Sequence, residues 1–140
     1  MNAQSKAESI RQNFEGLTLE GIPALGALYA QDAKFKDPFN DVQGRDFIEH
    51  IFRHMFSQVN APQFVVTALM AQDHQIFMRW DFSFVARNSS QTIKGATYFE
   101  LDAKGLIILH RDYWDAAEEL YEKIPILGIL MRWLRAKLKA

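Results

Sequence analysis

The hydrophobic period of this chain changes to two at Gln63, and that change decides most of what it can fold into. Phe47, Ile48, Ile51, Phe52, Met55, Phe56 and Val59 recur every three or four residues, an amphipathic helical stripe that ends before Pro62. From Gln63 the period is two. Phe64–Ala71, Gln75–Ala86, Thr92–Leu101 and Leu106–Trp114 read as four strands. They are parted by Gln72-Asp73-His74, Asn88-Ser89-Ser90 and Asp102-Ala103-Lys104-Gly105, loops short enough to join antiparallel neighbours.

Ahead of the stripe, residues from about Gln4 to Phe14 place Ala7, Ile10 and Phe14 at helical spacing. Gly16 to Gly21 is a turn. Pro23 suits the first turn of a second helix, which Leu25, Leu28 and Tyr29 continue. Ala33–Asp37 is a short strand stopped by Pro38, and the striped helix starts near Gly44. At the other end Ala116–Lys139 is helical, broken or kinked at Pro125. No linker or repeat divides the 140 residues, so 1–140 is one domain with 116–140 as a C-terminal helical extension. Helices followed by a meander of strands predict an α+β architecture, with helices packed on one face of a curved antiparallel sheet.

Alternation assigns the faces. Ile76, Met78, Trp80, Phe82 and Phe84 form an unbroken apolar row that faces inward, as do Ile93, Gly95, Thr97, Phe99 and Leu101 on the next strand. The last strand offers Ile108, His110, Asp112 and Trp114 on one side against Leu109, Arg111 and Tyr113 on the other, and neither row is purely apolar. If Trp114 lines the interior, His110 and Asp112 face it too and need partners. An unpaired buried polar group costs about 1–3 kcal/mol.

Composition narrows the function classes. The chain holds 11 Phe, 4 Tyr and 3 Trp, an aromatic excess that suits a lined interior. A net charge of -1 gives no long-range attraction for nucleic acid. Residues 1–122 hold 11 basic and 17 acidic side chains, while Lys123, Arg132, Arg135, Lys137 and Lys139 follow with no acid among them. There is no cysteine, which excludes disulfides and thiol catalysis. Met1 to Phe14 is polar and no run reaches the length of a membrane span, so a cytoplasmic protein is expected. His50 and His54 stand four apart on a helix, a metal-ligand spacing, but no third ligand accompanies them and no metal is expected. Without a glycine-rich phosphate loop, a GxSxG elbow or a cofactor fingerprint, no cofactor is expected either.

The segment Tyr29-Ala-Gln-Asp-Ala-Lys-Phe-Lys-Asp37-Pro38-Phe39, with Gly44-Arg45-Asp46 after it, resembles the SnoaL-like or ketosteroid-isomerase-like branch of the NTF2-like superfamily. So does Tyr98 to Gly105 running into His110-Arg111-Asp112-Tyr113-Trp114-Asp115. The resemblance covers nearly the whole chain. It implies a cone in which the sheet wraps around the N-terminal helices and encloses a cavity, in a homodimer. It also implies a small hydrophobic ligand such as a cyclic ketone, and an isomerase- or lyase-like reaction; the alternative is a ligand-binding or protein-interaction module that uses the same pocket without turnover.

On that resemblance Asp37 is the base that removes a proton beside a carbonyl, with His110 and Asp112 as its polar partners. Tyr29, Phe35, Phe39, Trp80, Phe82, Thr97, Phe99 and Trp114 are the expected substrate-binding residues. An acid among Phe35, Phe39 and Trp114 would be desolvated and its pKa raised. Asp before Pro also serves turns, by accepting backbone bonds. A His and a carboxylate on one row equally form a satisfied hydrogen-bond pair. The steroid isomerases hold the substrate oxyanion with a first-helix tyrosine and a fourth-strand acid; those places fall here on Asn13-Phe14 and on Thr97.

The tail motif Glu118 to Gly128 resembles a bacterial NTF2-like subgroup. In the closing helix Leu127, Leu130, Met131, Leu134 and Leu138 share one face, which Ile126, Ile129 and Trp133 widen. A lid over the cavity or a dimer element is expected. A basic amphipathic helix on a membrane surface is the alternative.

Overall fold

A computed structural model describes residues 3–114 together with 133, 136, 137 and 139. Within residues 3–114 three helices and six strands follow one another: α1 (Ala3–Glu15), α2 (Ile22–Gly26), β1 (Tyr29–Lys36), β2 (Asp41–Gln43), α3 (Arg45–Gln58), β3 (Asn60–Gln72), β4 (Gln75–Ala86), β5 (Ser89–Leu101) and β6 (Ile107–Tyr113). The strands make one curved sheet in the order β2-β1-β6-β5-β4-β3, an α+β fold. No helix among the described residues is long and apolar enough to cross a membrane.

The apolar row of β4 is buried as its alternation dictates, and so are Ile93, Thr97, Phe99 and Leu101 of β5. Gly95 is half-buried. Ile10 and Phe14 of α1 and Ile48, Ile51, Phe52 and Met55 of α3 close over these rows to form the core. The β4–β5 turn falls on Arg87 and Asn88, both with φ near +60°, one residue earlier than the serines suggest.

Four features depart from the sequence reading. Tyr29 is not helical. α2 stops at Gly26, and Tyr29 opens β1 because it pairs with Ile107, while the Ile107 N–H donates to the Leu28 carbonyl at 2.9 Å. Long-range pairing here overrides a helical spacing. Second, the sheet is not wholly antiparallel, since β1 runs parallel to β6. Third, β2 is a strand of three residues, too short to show a period. Fourth, Ile108 is not inward. Glu100 pairs with Leu109 and Leu101 with Ile107, so Ile108 is the extra residue of a bulge and is 37 % exposed. The bulge resets the alternation so that Ile107 and His110 are both buried.

Expectations for 116–140 lie outside the described residues, apart from Trp133, which packs partly buried against the core.

Candidate active site

β1 ends at Lys36 and the chain turns through Asp37-Pro38-Phe39-Asn40 into β2. The Asp37 N–H closes this turn on the Asn40 carbonyl at 2.9 Å. Asp37 Oδ1 accepts from the N–H of Phe39 at 2.7 Å and of Asn40 at 2.6 Å. The buried Asn40 side chain donates to both carboxylate oxygens, at 3.2 and 3.3 Å. The turn role foreseen for an Asp-Pro step is thus real, and it falls mainly on one oxygen.

Burial pushes the Asp37 carboxyl above its usual range, and the negative charge of Asp112 pushes it further. The bonds from Phe39 and Asn40 pull the other way without cancelling that rise.

Asp112 reaches the same place from β6. Its Oδ1 takes a hydrogen bond from Thr97 Oγ1 at 2.5 Å and lies 2.7 Å from His110 Nε2. His110 Nδ1 lies 2.7 Å from the Tyr29 hydroxyl, and Trp80 Nε1 donates to Thr97 Oγ1 at 2.8 Å. Burial raises the Tyr29 hydroxyl well above the usual phenol range, with a further push from Asp112. The His110 ring is 1 % exposed and sits among Phe14, Phe35 and Phe99, with centroid distances of 6.0, 4.4 and 4.9 Å.

Two adjoining spaces meet at these carboxylates. An inner chamber of about 90 Å³ is lined by Phe35, Phe39, Ile51, Phe52, Met55, Phe64, Trp80, Phe82, Ile93 and Trp114 together with Asp37 and Asp112. An outer cleft of about 460 Å³ is lined by Lys36, Asp37, Pro38, Arg111, Asp112, Tyr113 and Trp114. Drug-sized ligands are typically enclosed by roughly 300–1,000 Å³. The cleft falls in that range, and the chamber admits only part of such a molecule. Asp37, Asp112 and Trp114 line both spaces.

Of the residues expected from sequence, Asp37, Asp112, Phe35, Phe39, Trp80, Phe82 and Trp114 therefore stand on the walls. Tyr29, Thr97, Phe99 and His110 are buried behind them, each at most 2 % exposed. Asn40 was not anticipated, although an Asn three residues after an Asp-Pro step is a turn signal. Ile51, Met55 and Phe64 belonged only to the apolar pattern. His50 and His54 have ring centroids 6.3 Å apart, and no group of three potential metal ligands occurs among the described residues.

No curated protein matches the sequence significantly. Among solved structures, a protein of ketosteroid isomerase-like fold from Catenulispora acidiphila, in complex with trimethylamine, is similar with a TM-score of 0.71 at 14% identity, over 86% of this chain and 92% of its own. An LEH-like epoxide hydrolase of M. tuberculosis has a TM-score of 0.70 at 16% identity, over 93% of this chain and 94% of its own. Likeness at these identities speaks for the fold. Residues 10–110, from the middle of α1 to His110, match the SnoaL-like domain, and the chain belongs to that NTF2-like family.

Proposed function

We propose that the protein binds a small apolar molecule where chamber and cleft meet and moves a proton on it without a cofactor, with Asp37 as general base. One observation carries this reading: a carboxyl group whose pKa is raised by burial and by a second carboxylate lines both spaces. A base works best when its pKa approaches the operating pH, and desolvation moves Asp37 that way. The bonds to Oδ1 fix the group, and Asp112 supplies the acid–base partner. One structural neighbour of the same fold is an epoxide hydrolase, which agrees with an enzymatic use of the fold.

The reaction is isomerase- or lyase-like rather than isomerisation of a 3-oxosteroid. Asn13 and Thr97, at the places of the oxyanion donors, are committed elsewhere: Asn13 donates to the Ser9 carbonyl at 2.8 Å and Thr97 to Asp112. In this reading the protein is a homodimer, and the exposed Met70 and Phe77 offer apolar surface for pairing.

The test needs no natural substrate. Small cyclic ketones in D2O should exchange their α-hydrogens faster with protein, followed by proton NMR. Asp37→Asn should lower that rate by about 10²–10⁴-fold. Unchanged exchange in Asp37→Asn would remove the base.

A second reading, ligand binding without turnover, also has its observation. Asp37 and Asp112 are the charged side chains of the chamber, and aromatic rings make up much of the rest. Carboxylates beside aromatic faces suit a small apolar ammonium, and the Catenulispora neighbour holds trimethylamine. A raised melting temperature with trimethylamine, together with no ketone exchange, would select this reading. Saturation at 100 times Kd contributes about 2.7 kcal/mol.

A further inference from the structure

We propose that Trp80, Thr97, His110 and Tyr29 are positioning residues that hold Asp112 Oδ1 from two sides and leave Oδ2 as the oxygen offered to the ligand. The inference rests on the proton-transfer reading of the Asp37–Asp112 site and adds to it a one-way hydrogen-bond relay.

The direction of each bond follows from what each group is able to do. An indole N–H only donates, so Thr97 Oγ1 accepts from Trp80 Nε1. The single hydroxyl proton of Thr97 is then directed to Asp112 Oδ1. From the other side the fully buried Tyr29 keeps its proton, and its neighbour at 2.7 Å is His110 Nδ1. As a carboxylate Asp112 Oδ1 only accepts, so Nε2 carries the hydrogen donated to it. In the neutral ring Nδ1 is then the acceptor, and the Tyr29 hydroxyl donates to it. Both arms end on one oxygen. Among the described residues no hydrogen bond falls on Oδ2.

The Trp80 arm also touches the ligand space, because its ring lines the chamber. Gly95 makes that placement feasible. A Cβ there would come within 2.5 Å of Trp80 Cη2 and 2.7 Å of Cζ2, so any side chain would displace the ring. Gly95 pairs with Trp80 across β4 and β5, two residues before Thr97. A ligand pressing on the indole is thereby linked through Thr97 to Asp112. His110, enclosed by aromatic rings, orients the carboxylate and does not meet the ligand.

The experiment compares Thr97→Val, which keeps the shape and loses the hydroxyl, with Thr97→Ser, which restores it. In the ketone-exchange assay Thr97→Val should lose about tenfold in kcat, the scale of a hydrogen bond to a charged group, with KM little changed. Thr97→Ser should recover the rate. Nitrogen-15 NMR reads the relay without substrate: His110 should carry its hydrogen on Nε2, Tyr29→Phe should shift the Nδ1 signal, and the Trp80 indole proton should follow the hydroxyl at position 97. Wild-type kcat in Thr97→Val, or an Nδ1–H ring at His110, would overturn the proposal. Absence of exchange in the wild type would sink the proton-transfer reading alone. The nitrogen-15 signals would then decide the relay, a matching set supporting it and an Nδ1–H ring ending it.

Discussion

β4 pairs with β5 from Gln75 opposite Glu100 to Ala86 opposite Ser89 without a break, whereas β1 meets β6 across a register shift between Tyr29 and Lys34. The two regions share a sheet and differ in what they bury. The regular ladder buries an apolar row in β4. The seam brings His110 opposite both Phe35 and Phe99, and Asp112 opposite Thr97. Continuous pairing leaves each inward residue one neighbourhood, which apolar packing fills except at Thr97, whose hydroxyl meets the Trp80 indole N–H. At the seam a bulge and a turn re-aim side chains, so polar groups from distant parts of the chain converge. The candidate site lies where regular pairing ends.

The largest effect expected from this contrast is on stability. Phe99 is fully buried in β5 and packs near both Phe14 and His110. Phe99→Ala should cost about 3–5 kcal/mol, read by denaturant unfolding. On the seam, Tyr29→Phe removes one oxygen and leaves His110 Nδ1 without its donor. That should cost about 1–3 kcal/mol with little change in the denaturant slope. Should Tyr29→Phe cost as much as Phe99→Ala, the relay would be part of the stabilising core and the contrast would fail.

The same contrast explains how much could be read from the residues. β4 was legible to its ends because alternation over twelve residues leaves one solution. α3 was legible because its stripe is long and Gly44, with φ at +120°, stands at its start. Asp37 was legible as a residue aimed inward, and the structure puts it on the wall of both spaces. The seam was not. Tyr29 and His110 are 81 residues apart, and no local pattern announces that they meet. Tyr29 took a helical spacing from Leu25 and Leu28, and only its pairing with β6 makes it a strand. Ile108 followed the row of His110 until a bulge moved it out. Asn40 gives a turn signal, but its two side-chain bonds to Asp37 depend on how the β1–β2 turn closes.

The smallest effect concerns the carboxyl group on which the proposed function turns, and its sign with pH is the measurement. In the unfolded chain Asp titrates near 3.9. In the fold, burial and the charge of Asp112 raise Asp37 above its ordinary value. Between the two values the native state binds the proton more tightly than the unfolded chain. Stability is therefore lost as pH rises through the raised value. Asn does not ionise, and its side-chain oxygen still accepts from the N–H groups of Phe39 and Asn40. Asp37→Asn should match the wild type in melting temperature below about pH 3.9, where Asp37 is protonated in both states. It should melt higher than the wild type at pH 7, where the wild type holds a half-buried charge beside Asp112. The variant that loses the proposed base would then be the more stable protein, as a strained functional group implies. An equal gain at both pH values would assign the effect to packing in the turn, and a loss at pH 7 would show that Asp37 sits comfortably ionised, which removes the physical reason for choosing it as the base.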